Sequence, residues 1–333
     1  EGSAAKNFEE LWPLLKEHPN SCMLCSDDKH PDDLLEGHIN SLCARAVGYG
    51  VSLFDVLEAA CLNPVLHYGL DCGLLRSGDP ADFVRLHDLT SFRVMETWID
   101  GTCVARQGKS LLPKTLSPRV NKFHATAKKA SDFDIPAGQG KLRLIEALDG
   151  QIVTHASETE ALVADGMAWA NPDQDILKIT VVNRYKNTTP SVAFVRGFGL
   201  KQGAIASSVA HDCHNIVAVG TSNEDLARAV NLLIENEGGI AVRGPSGDEE
   251  VLPLPVAGLM SDGYAEDVAA GYARLTKNVQ AMGSPLGAPF MTLSFLALLV
   301  IPSLKLSDLG LFDGENFRFV PVFTGEPSLE KKD

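Results

Sequence analysis

The chain has 333 residues, of which 45% are hydrophobic and 22% are charged, and its formal net charge is −14. This length predicts about two domains, with enough chain for real hydrophobic cores. Nucleic acids and anionic membranes are bound by clustered lysine and arginine, so the negative charge argues against both as partners. The seven cysteines are scattered and odd in number. This usage favours a reducing compartment and predicts a cytoplasmic protein.

The first 115 residues predict helices around one short strand, followed by a small β-sheet. An apolar run at 21–25 predicts the strand, and helical periodicity at 31–47 predicts the helix that follows it. Further along, residues 92–106 alternate between apolar and polar side chains as strands do. Asp100-Gly101 lies between the two strands of this stretch and predicts a two-residue hairpin turn.

A polar, lysine-rich and turn-rich stretch separates this region from the rest of the chain. We therefore predict domains at 1–115 and 141–330, joined by a linker at 116–140. In the second domain, apolar strand-like runs alternate with helices predicted at 222–236 and 265–282. Interleaved strands and helices predict a layered α/β domain.

The most informative stretch is Cys-Ser-Asp-Asp-Lys-His-Pro at 25–31, directly after the predicted strand. An aspartate at the end of a strand, where a loop opens, is where a TIM-like barrel enzyme places catalytic groups. There Asp27 could bind a divalent metal and take a proton from metal-bound water. The alternative is a loop acid that caps the helix beginning near Asp32. Asp28 and His30, each taken alone, are typical of solvated loop residues.

A second cluster, His211-Asp212-Cys213-His214-Asn215, follows an apolar run in the predicted second domain. Two histidines three residues apart, with an acid and an amide, could bind a metal or hydrogen-bond a polar ligand. The alternative is a polar turn whose side chains are satisfied locally. The sequence has no glycine-rich phosphate loop and no G-x-S-x-G nucleophile motif, which disfavours nucleotide-phosphate binding and serine hydrolase chemistry.

Several separate motifs resemble those of the prokaryotic-type adenine deaminases of the amidohydrolase superfamily, in the same order along the chain. Residues 1–8 and 25–34 resemble the end of that family's barrel, and 73–83 resembles the return to its small β-sandwich. The second domain resembles the family's C-terminal domain at Gly197–Leu200, Gly203–Ala206, His211–Asn215, Leu254–Ser261 and Pro289–Phe295. The implied fold is a partial metal-dependent hydrolase (TIM-like) barrel with a small β-sandwich, followed by a layered α/β C-terminal domain.

The resemblance implies hydrolysis of adenine to hypoxanthine and ammonia, a reaction of purine salvage. In that family a hydroxide on a binuclear centre of manganese or iron attacks C6 of the purine. Asp27 matches the aspartate of the last barrel strand, which binds the metal and moves the proton from water toward the leaving amine. Asp28 and His30 then become neighbours of the metal or the substrate. We hypothesise that a further polar group faces the barrel mouth: His211, Asp212, His214 and Asn215.

The family's H-x-H metal pair does not occur in this sequence. A barrel needs about 250 residues, whereas the 25–31 stretch lies close to the first residue. We therefore expect the chain to be the C-terminal portion of a longer enzyme, inactive alone and a poor metal binder. The unpaired strand edge of a half-barrel favours association, and we expect a homo-oligomer. Two alternatives stay open: another amidohydrolase acting on a cyclic amide or amidine, and a non-catalytic binding or assembly module.

Overall fold

This computed structural model describes residues 1–3, 5–115 and 118–327. The protein is a mixed α/β molecule that divides into two compact units, Glu1–Leu116 and Ser117–Asp333. None of the helices in the described ranges is long and apolar enough to cross a bilayer. Of the predicted domain boundaries, 116–117 and 328–330 lie outside the described residues.

The first unit begins with short helices around one small core. Its helices are α1 (Phe8–Leu11), α2 (Pro13–Glu17), α3 (Pro31–Glu36), α4 (Ile39–Gly48), α5 (Leu53–Leu57) and α6 (Asn63–Tyr68), with a 3₁₀ turn at Pro19–Ser21 and a π-helical turn at Glu58–Leu62. In α4, Leu42, Cys43 and Ala46 are buried, at the spacing that places side chains on one helix face. They share a core with Phe8 and Val56 of neighbouring helices.

The second half of this unit is a four-stranded antiparallel sheet in sequential order. Its strands are β1 (Phe83–Leu86), β2 (Val94–Ile99), β3 (Thr102–Arg106) and β4 (Lys109–Ser110). Between the paired residues Ile99 and Thr102, Asp100 and Gly101 have φ angles of 47° and 72°. Positive φ at both central residues defines the turn that matches strand twist, so the predicted Asp-Gly hairpin is confirmed.

The strand predicted at 21–25 is wrong. Cys22 is extended, but the segment pairs with no other strand within the described residues. Its apolar side chains Cys22 and Leu24 pack against the helical core instead, and the backbone N–H of Leu24 donates to the carbonyl of Ala59 (3.0 Å). A strand needs a neighbouring strand for its hydrogen bonds. The described residues accordingly contain no closed barrel.

The helix predicted at 31–47 is two helices. It is interrupted at Gly37, where α3 ends, and α4 begins two residues later. Glycine has the greatest conformational freedom to lose in a helix interior, so a chain breaks there readily. The apolar periodicity continues across the break, which is why the sequence pattern read as a single element.

The second unit is built on one large sheet. Its first ten strands are β5 (Leu142–Ala147), β6 (Thr154–Thr159), β7 (Leu162–Ala164), β8 (Met167–Trp169), β9 (Leu177–Val182), β10 (Ser191–Arg196), β11 (Ala204–Ser207), β12 (Ile216–Gly220), β13 (Gly239–Arg243) and β14 (Glu249–Pro253). Eight of them form the sheet in the order β14-β13-β11-β12-β9-β10-β5-β6, and β7 and β8 form a separate hairpin. All neighbours in the large sheet are antiparallel except β10 and β5.

Helices cover both faces of this sheet. On one face lies α7 (Asn223–Glu235), whose Leu226 and Val230 share a core with Ala218 of β12. The other face is covered by α8 (Ala265–Ala281), α9 (Pro289–Phe295) and a small sheet of β15 (Leu304–Ser307), β16 (Gly310–Asp313) and β17 (Arg318–Phe319). The central strand β9 is buried along its whole length because both of its faces are covered.

The segment predicted as a linker, 116–140, packs onto the second unit where the structure describes it. A 3₁₀ turn at Ala130–Phe133 places the fully buried Phe133 in the same core as α7. The backbone N–H of Lys128 donates to Oδ1 of Asn231 in α7 (2.8 Å). Phe123 packs against the same core, so the described part of the segment contributes aromatic side chains and hydrogen bonds to the second unit.

Candidate functional site

Asp27 lies at the surface of the first unit, at the end of the extended segment that precedes α3. Its side chain is exposed, and its Oδ1 accepts a hydrogen bond from the backbone N–H of Asp28 (2.8 Å). This contact fixes the rotation of the carboxylate. Asp27 also lines one end of a groove of about 490 Å³, whose walls include Trp12, Leu15, Met23 and Cys25. Glu1 also lines the groove, so two carboxylate side chains lie beside an apolar surface.

The loop after Asp27 is hydrogen-bonded to one of the first residues of the chain. The carbonyl of Asp28 accepts from the backbone N–H of Ser3 (2.9 Å), and the backbone N–H of His30 donates to Oγ of Ser3 (2.9 Å). Asp28 is exposed, whereas His30 is buried. Burial lowers the pKa of His30 because the imidazolium would lose its hydration, although nearby Asp32 and Asp33 oppose this effect. The neutral imidazole is thus favoured.

A serine–histidine contact beside Asp27 was missed by the sequence analysis. Oγ of Ser26 and Nε2 of His38 lie 2.6 Å apart. Burial lowers the pKa of His38, and the charge of Lys29 lowers it further. No motif spacing points to this pair, because Ser26 and His38 lie on opposite sides of α3 in the sequence.

The His211–Asn215 cluster lies in the second unit, in the turn between β11 and β12. The rings of His211 and His214 have centroids 6.2 Å apart, and the His211 ring packs 4.6 Å from that of Phe295 in α9. Asn215 is buried, and its Oδ1 accepts from the backbone N–H of Arg184 (3.3 Å). Asp212 is exposed. The structure therefore groups these residues with each other at one end of β9 and β12.

Arg184 is the central cation of this second cluster, and the candidate residues chosen from the sequence did not include it. Arg184 is 3% exposed, and its guanidinium donates to the carbonyl of Ala257 (2.7 Å) and to the hydroxyl of Tyr185 (3.0 Å) and stacks on the Tyr185 ring. Burial lowers the pKa of His214, and electrostatic interactions with His211 and Arg184 lower it further. Burial raises the pKa of the Cys213 thiol. Both groups are therefore favoured in their neutral forms.

The described residues do not by themselves fit a metal centre. No group of three or more histidine, cysteine, aspartate or glutamate side chains within 1–3, 5–115 and 118–327 could hold a metal ion. Asp27 offers a carboxylate of the kind that hard divalent ions prefer. A stable site needs several such ligands, so Asp27 can be one ligand of a centre but not the centre.

Two family profiles match this chain. The profile of the adenine deaminase C-terminal domain matches residues 151–318, which is just over half of the chain. The chain belongs to this family. The profile of the amidohydrolase family matches residues 1–104, the range that contains Asp27. The range 1–104 lies within the first unit, and the range 151–318 lies within the second.

Curated relatives are similar along nearly the whole chain. The adenine deaminase of Salinibacter ruber is 55% identical over 97% of this chain, that of Sulfurovum sp. is 52% identical over 96%, and that of Methanosarcina acetivorans is 47% identical over 98%. The chain spans 59%, 58% and 61% of the lengths of these relatives, respectively.

Proposed function

We propose that this chain carries part of an adenine deaminase, which converts adenine and water to hypoxanthine and ammonia. The observation that carries the proposal is the 55% identity to the Salinibacter ruber adenine deaminase over 97% of the chain. Identity at this level extends through both units, so it supports a shared reaction and not only a shared fold. The amidohydrolase profile over 1–104 supports the same reaction class.

In this proposal Asp27 is the proton carrier. Water adds to C6 of the purine, and the Asp27 carboxylate takes the proton that the water loses. It then delivers that proton to the amino group on C6, so that the C–N bond breaks and ammonia leaves. The exposed carboxylate at the rim of a groove supports this role, because a purine could approach it there. We further propose Asp28 and His30 as its neighbours on the substrate side.

The cofactor is a proposal as well. The amidohydrolase family implies a divalent metal, and we propose a binuclear centre of manganese or iron. Such a centre would supply an activated water near neutral pH. Because the described residues offer no complete ligand set, we expect these 333 residues alone to release no ammonia from adenine. Turnover by the isolated chain with added Mn²⁺ would contradict this expectation.

The finer architecture and context belong to the same proposal. We infer that the first unit corresponds to the end of an amidohydrolase barrel with strands of its small β-sandwich, and that the second unit is the family's C-terminal domain. We further propose that four residues of the second unit lie on the substrate side: His211, Asp212, His214 and Asn215. We also propose a homo-oligomer acting in purine salvage, and a cytoplasmic location, which the seven unpaired cysteines support.

The proposal is tested with a chimaera in which this chain replaces the matching part of the Salinibacter ruber protein. We expect the Mn²⁺-loaded chimaera to release ammonia from adenine. Assays with adenosine, guanine and a cyclic amide identify the competing amidohydrolase reactions. Equal or faster turnover of any of these three would contradict the assignment of adenine as the substrate.

The role of Asp27 is tested in the same chimaera. Asp27→Asn keeps the shape of the side chain but cannot accept the proton, so we expect kcat to fall by about 10²–10⁴-fold, the usual contribution of a general acid–base group. Asp71→Asn, at an exposed aspartate of the same unit, is the matched control and should keep its activity. Retained activity in the Asp27 variant would remove this residue from the mechanism.

A further inference from the structure

Ser3 makes two hydrogen bonds to the loop that carries Asp27 and one to helix α3. Its backbone N–H donates to the carbonyl of Asp28 (2.9 Å), and its Oγ accepts from the backbone N–H of His30 (2.9 Å). The same Oγ donates to the carboxylate of Asp33 in the first turn of α3. Ser3 is only 4% exposed. A single buried side chain thus joins the Asp27 loop to the helix that follows it.

Gly2 allows this close approach. A Cβ atom added to Gly2 would lie 2.7 Å from the carbonyl oxygen of Asp28 and 3.1 Å from Cβ of Asp27. Any side chain at this position would push against the backbone of the loop. Glycine is used where two backbones must come this close. Gly2 and Ser3 therefore lie directly against the backbone of Asp27 and Asp28.

These contacts restrict the orientation of the Asp27 side chain. The backbone after Asp27 is fixed at Asp28 and again at His30 by Ser3, and Oδ1 of Asp27 is fixed by the N–H of Asp28. An exposed aspartate on a free loop would sample several orientations. Here these hydrogen bonds restrict both the loop and the carboxylate, although Asp27 itself is at the surface.

We propose that Ser3 is a positioning residue that holds Asp27 in the orientation needed for proton transfer. This inference rests on the proposed deaminase function. Ser3 is suited to the task because one hydroxyl both accepts from His30 and donates to Asp33. Alanine at this position would leave the buried N–H of His30 without its acceptor and the Asp33 carboxylate without its donor.

Activity in the chimaera tests the positioning role. A displacement of a catalytic group by about 1 Å can cost about 10²-fold in rate. We expect Ser3→Ala to lower kcat by about 10- to 100-fold with KM changed less than about twofold, because substrate binding is not its task. The control is Ser77→Ala, at an exposed serine of the same unit. A double-mutant cycle with Asp33→Ala should give strongly non-additive losses in kcat.

Amide hydrogen exchange in the 333-residue chain gives a second readout that needs no activity. We expect the His30 amide to exchange about tenfold faster in Ser3→Ala, as the loss of one hydrogen bond predicts. If the chimaera with the native Ser3 is inactive but Ser3→Ala speeds exchange at His30, the proposed function is overturned while the hydrogen bond from His30 to Ser3 is supported. Unchanged exchange at His30, or a kcat equal to that of Ser77→Ala in an active chimaera, would overturn the positioning role.

Discussion

Lys178 and Lys305 are the most deeply buried lysines among the described residues of the second unit. Lys305 in β15 is fully buried, and its Nζ donates to the carbonyl of Ile152 (2.8 Å). Lys178 in β9 is 1% exposed and donates to the carbonyl of Phe133 (3.0 Å) and to Oδ1 of Asn223 (2.8 Å). Burial lowers the pKa of each to about 8, because the ammonium loses its hydration. Folding therefore disfavours the charged form of both.

These two groups contribute to the pH dependence of stability. The pKa of an unfolded lysine is about 10.4, so between about pH 8 and that value the unfolded chain binds more protons than the folded one. Each lysine should therefore contribute a rise in the free energy of unfolding across this window, on the order of 3 kcal/mol, whereas the raised pKa values of the Cys43 and Cys213 thiols act in the opposite direction. Lys305→Met removes one contribution, and we expect the difference between this variant and the parent chain to reach on the order of 3 kcal/mol across the window. Urea unfolding at intervals across the window measures it.

The control for this measurement is Lys277→Met, at an exposed lysine of α8. It should keep the full pH dependence of the parent chain. A Lys305 variant with an unchanged slope would mean that Lys305 is already charged, or already hydrated, in the folded state.

At the scale of single residues, the sequence identified groups that are close along the chain but not those joined through space. Asp27, Asp28 and His30 were found because they are neighbours in one loop. Ser3 meets Asp33 across 30 residues, and Arg184 meets Asn215 across 31. Contacts of that span depend on how elements pack, and no spacing rule in one sequence encodes them.

Among the elements, α7 was the most predictable, because its signals are local. The sequence predicted a helix at 222–236, and the structure has Asn223–Glu235 with Ser222 as its N-cap. Oγ of Ser222 accepts from the backbone N–H of Asp225 (3.1 Å) and donates to its carboxylate (2.8 Å). This satisfies one of the N–H groups that a helix start leaves unpaired.

The cap gives a prediction at the scale of the element. We expect Ser222→Ala to lower the free energy of unfolding of the second unit by about 1 kcal/mol, and Ser222→Gly by only a few tenths, since glycine is an acceptable cap. Urea unfolding measures both. Ser246→Ala, at an exposed serine in the turn between β13 and β14, should change stability little. Equal losses in the alanine and glycine variants would argue against a capping role.

The strand predicted at 21–25 was wrong because strand formation depends on the neighbouring elements and not only on the residues of the segment. An apolar run of five residues is compatible with a strand or with an extended segment packed on helices. Which of the two forms depends on whether a partner strand lies beside it. In the described residues the neighbours of Leu24 are helical, as its hydrogen bond to Ala59 shows. A single sequence does not specify its neighbours in space.

At the scale of the whole molecule, composition alone hides which unit a polar stretch packs against. The stretch 116–140 is polar and rich in lysine, so the sequence predicted a linker. Yet Phe133 joins the core beneath α7, and Ile135 joins a core with Leu142 and Phe194. A few buried side chains decide which unit a segment packs with, and the average composition of the segment does not reveal them.

The boundary can be located by truncation. The cores of the second unit are formed by residues from 123 onward, so we expect the polypeptide 118–333 to fold alone and unfold cooperatively. The polypeptide 141–333 lacks Phe133 and Ile135 and should be much less stable. Deleting one buried aromatic side chain costs about 3–5 kcal/mol, so Phe133→Ala in 118–333 should reproduce a large part of that loss.

Thermal and urea unfolding of the three polypeptides measure these differences, with Lys122→Ala as the control because Lys122 is exposed in the same stretch. A true linker contributes nothing to the core that follows it. If residues 118–140 were one, 141–333 would be as stable as 118–333, and Phe133→Ala would be as harmless as Lys122→Ala. The structure predicts the opposite on both counts, because the side chain of Phe133 is fully enclosed and its loss leaves a cavity beneath α7.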